Sequence, residues 1–337
     1  KDLLASHPKI SNVVVGAPSG ETITGDIPTA ENQDFSGYVI PRLELDNAIY
    51  GSAVGTGAID LTGNGLSSAT YDDETGRWSL TLKSANGDRC ISCDYLIGAD
   101  GARSKVRRLF KQPQNSDEQT AIAVRKYGDV YDINPSEIRL DFTKDELATY
   151  GWIFPINGSY SNVGIGVRVN AYKTHKMHLD TLLEEYEDYC SNHTKLDLNE
   201  KSRNASILPL GSEMPKFAFP NGALLGDAAS MINPFTGEGI YYSLWAGKVL
   251  ATEISERANY AEASRRYENA FLKKFKKHFQ LNQQLFQIIE KKGRLNSLVK
   301  RFQNDQRVIE TITGIGVGDQ KAIPASIVLK VSIAWLK

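Results

Sequence analysis

Cysteine is scarce. Cys90, Cys93 and Cys190 are the only three in 337 residues, too few for a disulfide framework and in keeping with a reducing compartment. Cys90 and Cys93 spell CxxC, yet no second CxxC or His pair stands at ligand spacing and the pair falls within a strand pattern. They read as packing residues rather than a metal or redox site. Net charge is nearly absent as well: 39 Lys and Arg stand against 40 Asp and Glu, which excludes a global field that would gather nucleic acid and leaves anion binding to local features. Long apolar runs are missing. Stretches such as Ala223 to Leu225 or Ile327 to Leu329 fall far short of the roughly 20 residues of a bilayer span. Lys1 to Ser11 lacks the apolar segment of a signal peptide, so the expected location is cytoplasmic. What is present, 41% hydrophobic and 23% charged residues, suits a globular chain long enough for two domains with cores of their own.

Along the chain, residues 12 to 40 are short apolar pieces broken by Gly, Pro, Ser and Thr, which predict strands and loops. A helix follows from about Glu44 to Ala53, stopped by Gly55 and Gly57. Trp78, Leu80 and Leu82 alternate with polar residues, and with Asn86-Gly87 as the turn they predict a hairpin over Arg77 to Tyr95. Its second arm continues into YLIGADG, a buried strand ending in an acid and a glycine, and ARSKVRRLF reads as a short basic helix. From about Thr120 to Val169 the segments AIAVRKY, EIRLDFT, YGWIFPI and SNVGIGVRV predict an antiparallel sheet, with Asn157-Gly158 turning between the last two. Leu182, Leu183, Tyr186, Tyr189 and Cys190 line one face of a helix from Leu179 to Cys190. NASILPL is a further strand, and beyond Gly247 the pattern is mostly helical to about Thr313.

The stretch GALLGDAASMINPFTGEGIYYSLWAGK concentrates unusual demands. ALLGD places Asp227 at the carboxyl end of a strand, the edge at which open α/β sheets bind ligands. A carboxylate there accepts hydrogen bonds from neighbouring hydroxyls of a polyol. Pro234 fixes the turn, while Gly237 and Gly239 leave backbone N–H groups uncovered at the start of a helix running from about Glu238 to Ile254, a site suited to an electron-rich group. Asp100-Gly101, also at a strand end and followed by Ser104, Lys105, Arg107 and Arg108, repeats the logic. Taken singly, each loop also reads as ordinary turn and cap chemistry. Two such loops in one chain favour a shared ligand.

These residues carry a family resemblance. LIGADGARSKVRR is similar to the DG motif, and ALLGDAASMINPFTGEGIYYSLWAGKVLA to the GD motif, of FAD-dependent enzymes with the p-hydroxybenzoate hydroxylase fold. YGWIFPINGSYSNVGIGV matches the YxWxFP signature of the geranylgeranyl reductase family at Tyr150, Trp152, Phe154 and Pro155, where flavin-dependent halogenases carry a tryptophan-rich variant. The chain therefore resembles the geranylgeranyl reductase family from about Arg42 to Leu250. The resemblance implies an α/β (α+β) fold with three parts: an incomplete, discontinuous FAD-binding domain over 1–115 and 205–258, an antiparallel-sheet substrate domain over 116–204, and a helical C-terminal region over 259–337. The family's opening GxGxxG unit is not found. VVVGAPSGE looks like it, but Gly16, Pro18 and Gly20 break the spacing and no helix pattern follows, so the resemblance implies that this unit lies upstream of Lys1.

The same resemblance implies roles. FAD is the cofactor. Asp227, next to Gly226, would bond ribityl or ribose hydroxyls. Gly237, Glu238, Gly239 and Ile240 would present the helix start to the flavin pyrimidine edge, Pro234 would wall the isoalloxazine, and Asp100, Gly101 and Arg42 would lie by the pyrophosphate. Tyr150, Trp152 and Phe154, on one face of a strand with Pro155 after them, would line a cavity for a prenyl-lipid chain or pack as an ordinary sheet. The expected reaction is reduction of isoprenoid C=C bonds, with an electron donor such as NADPH or a ferredoxin-like protein left open. No catalytic acid stands out, Tyr150, Tyr241 and Tyr242 being the candidate donors. The Lys-rich helical tail reads as a solvated face, with an anionic membrane surface as its alternative. A monomer is expected. Two other readings stay open: a flavin-dependent monooxygenase of the same fold, and a binding protein without cofactor.

Overall fold

The computed structural model describes residues 2–27, 37–85, 87–144, 149–256, 259–291, 293–305 and 308–309. In chain order, α1 (Asp2–Ala5), β1 (Lys9–Ile10), β2 (Asn12–Gly16), β3 (Thr22–Asp26) and β4 (Gly37–Tyr38) precede α2 (Arg42–Gly55). Next come β5 (Gly65–Asp72), β6 (Arg77–Lys83), β7 (Arg89–Cys93), β8 (Leu96–Gly98) and α3 (Lys105–Leu109). The middle of the chain forms β9 (Thr120–Val130), β10 (Glu137–Phe142), β11 (Tyr150–Asn157), β12 (Tyr160–Arg168), α4 (Val169–Thr174), α5 (Leu179–Ser191) and β13 (Leu196–Pro209). The last part forms β14 (Ala218–Phe219), β15 (Gly222–Leu224), α6 (Ile240–Glu256), α7 (Tyr260–Ile289) and α8 (Arg294–Phe302). The described residues fall into two compact units, one drawn from Lys1–Ala48, Thr120–Ile207 and Leu281–Lys337, the other from Ile49–Gln119 and Leu208–Gln280.

The first unit is built on a seven-stranded sheet in the order β13-β9-β12-β11-β10-β2-β3. Strands β9, β12, β11 and β10 run antiparallel in succession, as their alternating pattern predicts, and β11 and β12 meet at Asn157 and Tyr160. The sheet is nonetheless mixed, because β10 takes β2 as a parallel neighbour. This is where the Val-rich N-terminal strand goes. A side-chain carbon on Gly16 would sit 2.2 Å from Asp141 Oδ1, so the bare glycine makes room for a fully buried carboxylate, which also takes the Arg139 Nε–H at 2.8 Å and the Tyr186 hydroxyl at 3.0 Å. VVVGAPSGE thus enters a hairpin with β3, and the described residues up to Ala48 belong with this sheet rather than with the unit expected to hold the cofactor. Helix α5 covers one face, its Leu182, Leu183, Tyr186 and Cys190 packing on Val124, Ile153, Val163 and Ile165.

The second unit joins the antiparallel sheet β5-β6-β7 to a small sheet β14-β15-β8. Trp78, Leu80 and Leu82 point inward from β6, and the Trp78 indole N–H bonds Asn221 O at 2.9 Å. Gly87 turns with φ +103°, while Asn86, its expected partner in the turn, lies outside the described residues. Cys90 and Cys93 sit three apart on β7, so their side chains leave opposite faces of that strand. Helices α6 and α7 close the core through Tyr242, Ala246 and Leu250 on one side and Tyr267, Phe271, Phe275 and Phe279 on the other. The helical region expected to reach Thr313 is described to Ile309; residues from 310 onward lie outside the described set.

Candidate functional site

The two acid-and-glycine corners meet in the second unit. β8 and β15 pair in parallel, Leu96 with Gly222 and Gly98 with Leu224, and the Leu225 N–H extends the ladder to Gly98 O at 2.9 Å. Parallel strands end at the same edge, so Asp100 and Asp227 leave the sheet side by side. Gly98 has no room for a side chain: a Cβ would lie 2.7 Å from both Leu224 and Val106. The Asp100 carboxylate turns inward to the start of α3, accepting from the Ser104 hydroxyl at 2.5 Å, Lys105 N–H at 2.6 Å and Val106 N–H at 3.2 Å. Gly101 supplies the positive φ of +77° that this cap takes. Asp100 is therefore the residue that shapes the corner.

The two corners are tied by Arg107, which is 2% exposed. Its Nη1 donates to Ser230 Oγ at 2.9 Å, Nη2 to Asn115 Oδ1 at 3.0 Å and Nε to Pro113 O at 2.8 Å, while the Ser230 hydroxyl bonds Asn115 Oδ1 at 2.7 Å. Ser230 itself is held at φ +58°. Burial lowers the Arg107 pKa, yet a guanidinium stays charged at neutral pH. A residue that sequence reading places on a basic helix is thus the clamp between two loops.

The GD loop makes a cradle of bare backbone. Gly226 is left-handed, φ +58°, and a Cβ there would come 3.0 Å from Ser243 Oγ on α6. Gly237 has φ +71°. A Cβ on Gly239 would stand 3.7 Å from Asp227 Oδ1, so the partly exposed carboxylate and the uncovered helix start face the same small space. The α6 ladder begins at Ser243 N–H to Gly239 O, 3.0 Å; the Gly237 N–H, expected to be uncovered, is taken instead by Asn233 O at 3.0 Å, and the Glu238 N–H by Thr236 Oγ1 at 3.3 Å, so the donors at the helix start are those from Gly239 on. Ile240 and Tyr241 are 40% and 39% exposed, so the entry of the helix is open. Glu238, just ahead of it, is partly buried, and that desolvation pushes its carboxyl up to about 7. Donors, a hydroxyl-seeking carboxylate and absent side chains together fit the pyrimidine edge and polyol of a flavin.

The loop is also held from behind, by Tyr242 together with Asn233 and His278, two residues that the sequence reading passed over. Asn233 is fully buried; its Oδ1 accepts from Phe235 N–H at 2.8 Å and Thr236 N–H at 3.2 Å, and its Nδ2 lies 3.1 Å from Tyr242 Oη and 3.3 Å from His278 Nε2. Buried Pro234 follows it. His278 hides in FLKKFKKHF, where Phe271, Phe275, His278 and Phe279 recur at helical spacing on the buried face while Lys273, Lys274, Lys276 and Lys277 are exposed. That period, rather than the lysine content, is the signal for it.

In the first unit the aromatic row is real. Tyr150, Trp152 and Phe154 follow one another on β11 with ring centroids 6.1 Å apart at each step. The Trp152 indole lies over β12 where Gly164 has no side chain; a Cβ there would be 2.3 Å from Trp152 Cζ2. Its Nε1–H reaches Asn162 Oδ1 at 3.1 Å. Pro155 has the opposite parity and lines, with Ile153, Arg139, Tyr189 and Cys190, a cleft of about 150 Å³ on the other face of the sheet. Burial raises the Tyr150 phenol pKa, so that hydroxyl stays protonated. Arg42 belongs to this unit as well, and its guanidinium pairs with Asp46 at 2.9 Å on an exposed stretch of α2.

A menaquinone reductase from Mycobacterium tuberculosis is 32% identical over 226 residues, 66% of this chain and 55% of that protein, so the chain spans about half the length of that relative. A digeranylgeranylglycerophospholipid reductase from Methanopyrus kandleri is 24% identical over 296 residues, covering 83% of this chain and 73% of its own. The crystal structure of a geranylgeranyl bacteriochlorophyll reductase-like protein from Thermoplasma acidophilum superposes with a TM-score of 0.78 at 19% identity, over 97% of this chain and 83% of that one, and so shares the fold. No helix among the described residues is long and apolar enough to cross a membrane. Residues 19–265 match the model of the FAD binding domain, and the chain belongs to that family of flavoproteins.

Proposed function

We propose that the protein is an FAD-dependent reductase of isoprenoid C=C bonds in prenyl lipids. The observation that carries the reading is the meeting of Asp227 with the bare backbone of Gly239 at the start of α6. When bound and reduced, FAD supplies a hydride to one alkene carbon. The α6 N–H groups would offset negative charge at the cofactor's pyrimidine edge, and Asp227 would accept hydrogen bonds from its polyol chain. An unactivated alkene has no carbonyl to polarise, so the protein's part is to position the chain and exclude water. Tyr150, Trp152 and Phe154, the aromatic row of β11, offer apolar surface for a prenyl chain, and water or an acid supplies the proton for the second carbon. The relatives named for menaquinone and for digeranylgeranyl lipids have in common a substrate with a polyisoprenoid tail, which is the substrate class assigned to this chain. Asp100 and Gly101 stand in this reading as neighbours of the pyrophosphate, while Arg42 belongs to the other unit and pairs with Asp46.

The test is to reduce FAD-loaded protein with dithionite, without oxygen, add a geranylgeranyl lipid and weigh the product. Gains of two hydrogens for each double bond are expected. Oxygen uptake with an oxygenated product would replace the reductase by a monooxygenase. A protein that takes up no FAD would leave a binding role.

A further inference from the structure

The buried polar cluster behind the GD loop is oriented by Asn233. Asn233 Oδ1 is used twice, by the backbone N–H groups of Phe235 and Thr236, so the amide cannot turn over and its Nδ2 is the end that faces Tyr242 and His278. An amide nitrogen only donates. Tyr242 Oη, 3.1 Å from Nδ2, stands 3.1 Å from His278 Nε2, and Nδ2 is 3.3 Å from the same ring nitrogen. Nδ2 only supplies hydrogens, so the contact between Nδ2 and Nε2 is satisfied with Nε2 as the acceptor of a neutral imidazole, while the phenol, which both donates and accepts, fits beside them. A proton on Nε2 would set donor against donor in a place where Asn233 and Tyr242 are both 0% and His278 8% exposed.

We infer that His278 is a positioning residue for the cofactor loop: its neutral ring, carried by α7, holds Asn233 and through it the turn from Phe235 to Gly239, and protonation of the ring releases that turn. The inference rests on the flavin reading above. Asn233 also fixes the turn through its main chain, donating to Glu238 O at 2.8 Å and accepting from Gly237 N–H at 3.0 Å, so one displaced side chain would loosen the whole entry to α6. The titratable and charged groups near the ring include Tyr242 and Tyr241 on α6, Glu238 ahead of it, whose charge Tyr242 feels, and Lys274 and Lys277 on α7, both turned to solvent.

The experiment measures FAD affinity between pH 8 and pH 5.5 for wild-type protein and for H278Q, H278F and E238Q. A glutamine carbonyl replaces the acceptor but does not titrate in this range. Wild-type affinity is expected to fall by about tenfold as the imidazole charges, on the scale of one buried hydrogen bond lost. H278Q is expected to bind within about threefold of wild type at pH 8 and to lose the acid fall, whereas H278F, with no acceptor, binds more weakly at every pH. E238Q, which removes the other group titrating there, keeps the acid fall. Hydrogen exchange of the amides from Phe235 to Tyr242 in FAD-free protein gives the second readout, protection disappearing at pH 5.5 in wild type and persisting in H278Q. Equal pH profiles and equal exchange in wild type and H278Q would overturn the inference. If no variant takes up FAD at pH 8, the cofactor reading falls, and the exchange comparison alone still decides the role of His278.

Discussion

Single residues in this protein are chosen for what lies behind them as much as for what they face. Arg107 is the plainest case, a buried cation whose partners are a hydroxyl, an amide and a carbonyl from different segments. Arg107→Met keeps the bulk and strands those acceptors. A loss of about 2–3 kcal/mol is expected, on the scale of a charged hydrogen bond left unmade, seen as a lower denaturant midpoint at unchanged slope. Glu238 gives a pH signature. Burial lifts its carboxyl from 4.5 to about 7, so the folded state binds a proton that the unfolded state has released between those values. Its contribution is whole below about pH 4.5 and disappears as pH rises through about 7. The chain should therefore lose stability with a slope approaching 1.4 kcal/mol per pH unit across that window. Comparing chemical denaturation of wild type and E238Q isolates this slope, and equal slopes would remove the carboxyl as its source. Asp227, Gly237 and Gly239 were legible in the sequence because strand ends and helix starts make local demands. Asn233 and His278 were not, because their bond joins a loop to a helix far along the chain, and lysines mask the histidine's buried face.

At the scale of elements, the strands and helices with a clear period form where the pattern puts them. β11 and β12 pair across Asn157 and Tyr160, and α5 buries the stripe predicted for it except for the partly exposed Tyr189. The exception is β2. Its three valines and glycine imitate the start of a dinucleotide-binding unit, and only the buried carboxylate of Asp141 beside Gly16 shows why a glycine stands there. A second glycine matters in the same tertiary way. Gly164 forms the floor beneath Trp152, with Val124 O 2.6 Å from where a Cβ would be. Backbone on one side and an indole on the other leave little relief, so Gly164→Ala should cost about 1–3 kcal/mol through overpacking. It should also shift the tryptophan fluorescence as the ring lifts from β12. A melting temperature and emission spectrum identical to wild type would mean that the indole does not lie on that floor.

For the molecule as a whole, each unit is assembled from separated stretches, and α2, β13 and α7 each contain a boundary between them. The discontinuous domain expected over 1–115 and 205–258 already joins separated stretches, but nothing local tells strands β2 and β3 which sheet they will join. The continuity of α7 has a consequence for ligand binding. Helix α7 is one 30-residue helix; its Tyr267, Phe271, Phe275 and Phe279 belong to the core beneath the GD loop, and its Ile289 packs in the first unit's cluster with Val13, Ile23 and Val299. Unfolding the stretch that lies in one unit frays a helix on which the other depends, so the two should melt in one transition rather than two. FAD binds residues of the second unit in the proposed reading, yet its stabilisation, about 2.7 kcal/mol at a hundredfold excess over Kd, should then raise that single transition for the entire chain. Hydrogen exchange with and without FAD checks it: slow amides of β12 in the first unit should gain protection together with those of α6. Protection confined to α6, or a calorimetric trace that splits on adding FAD, would show that the shared helix does not couple the two cores.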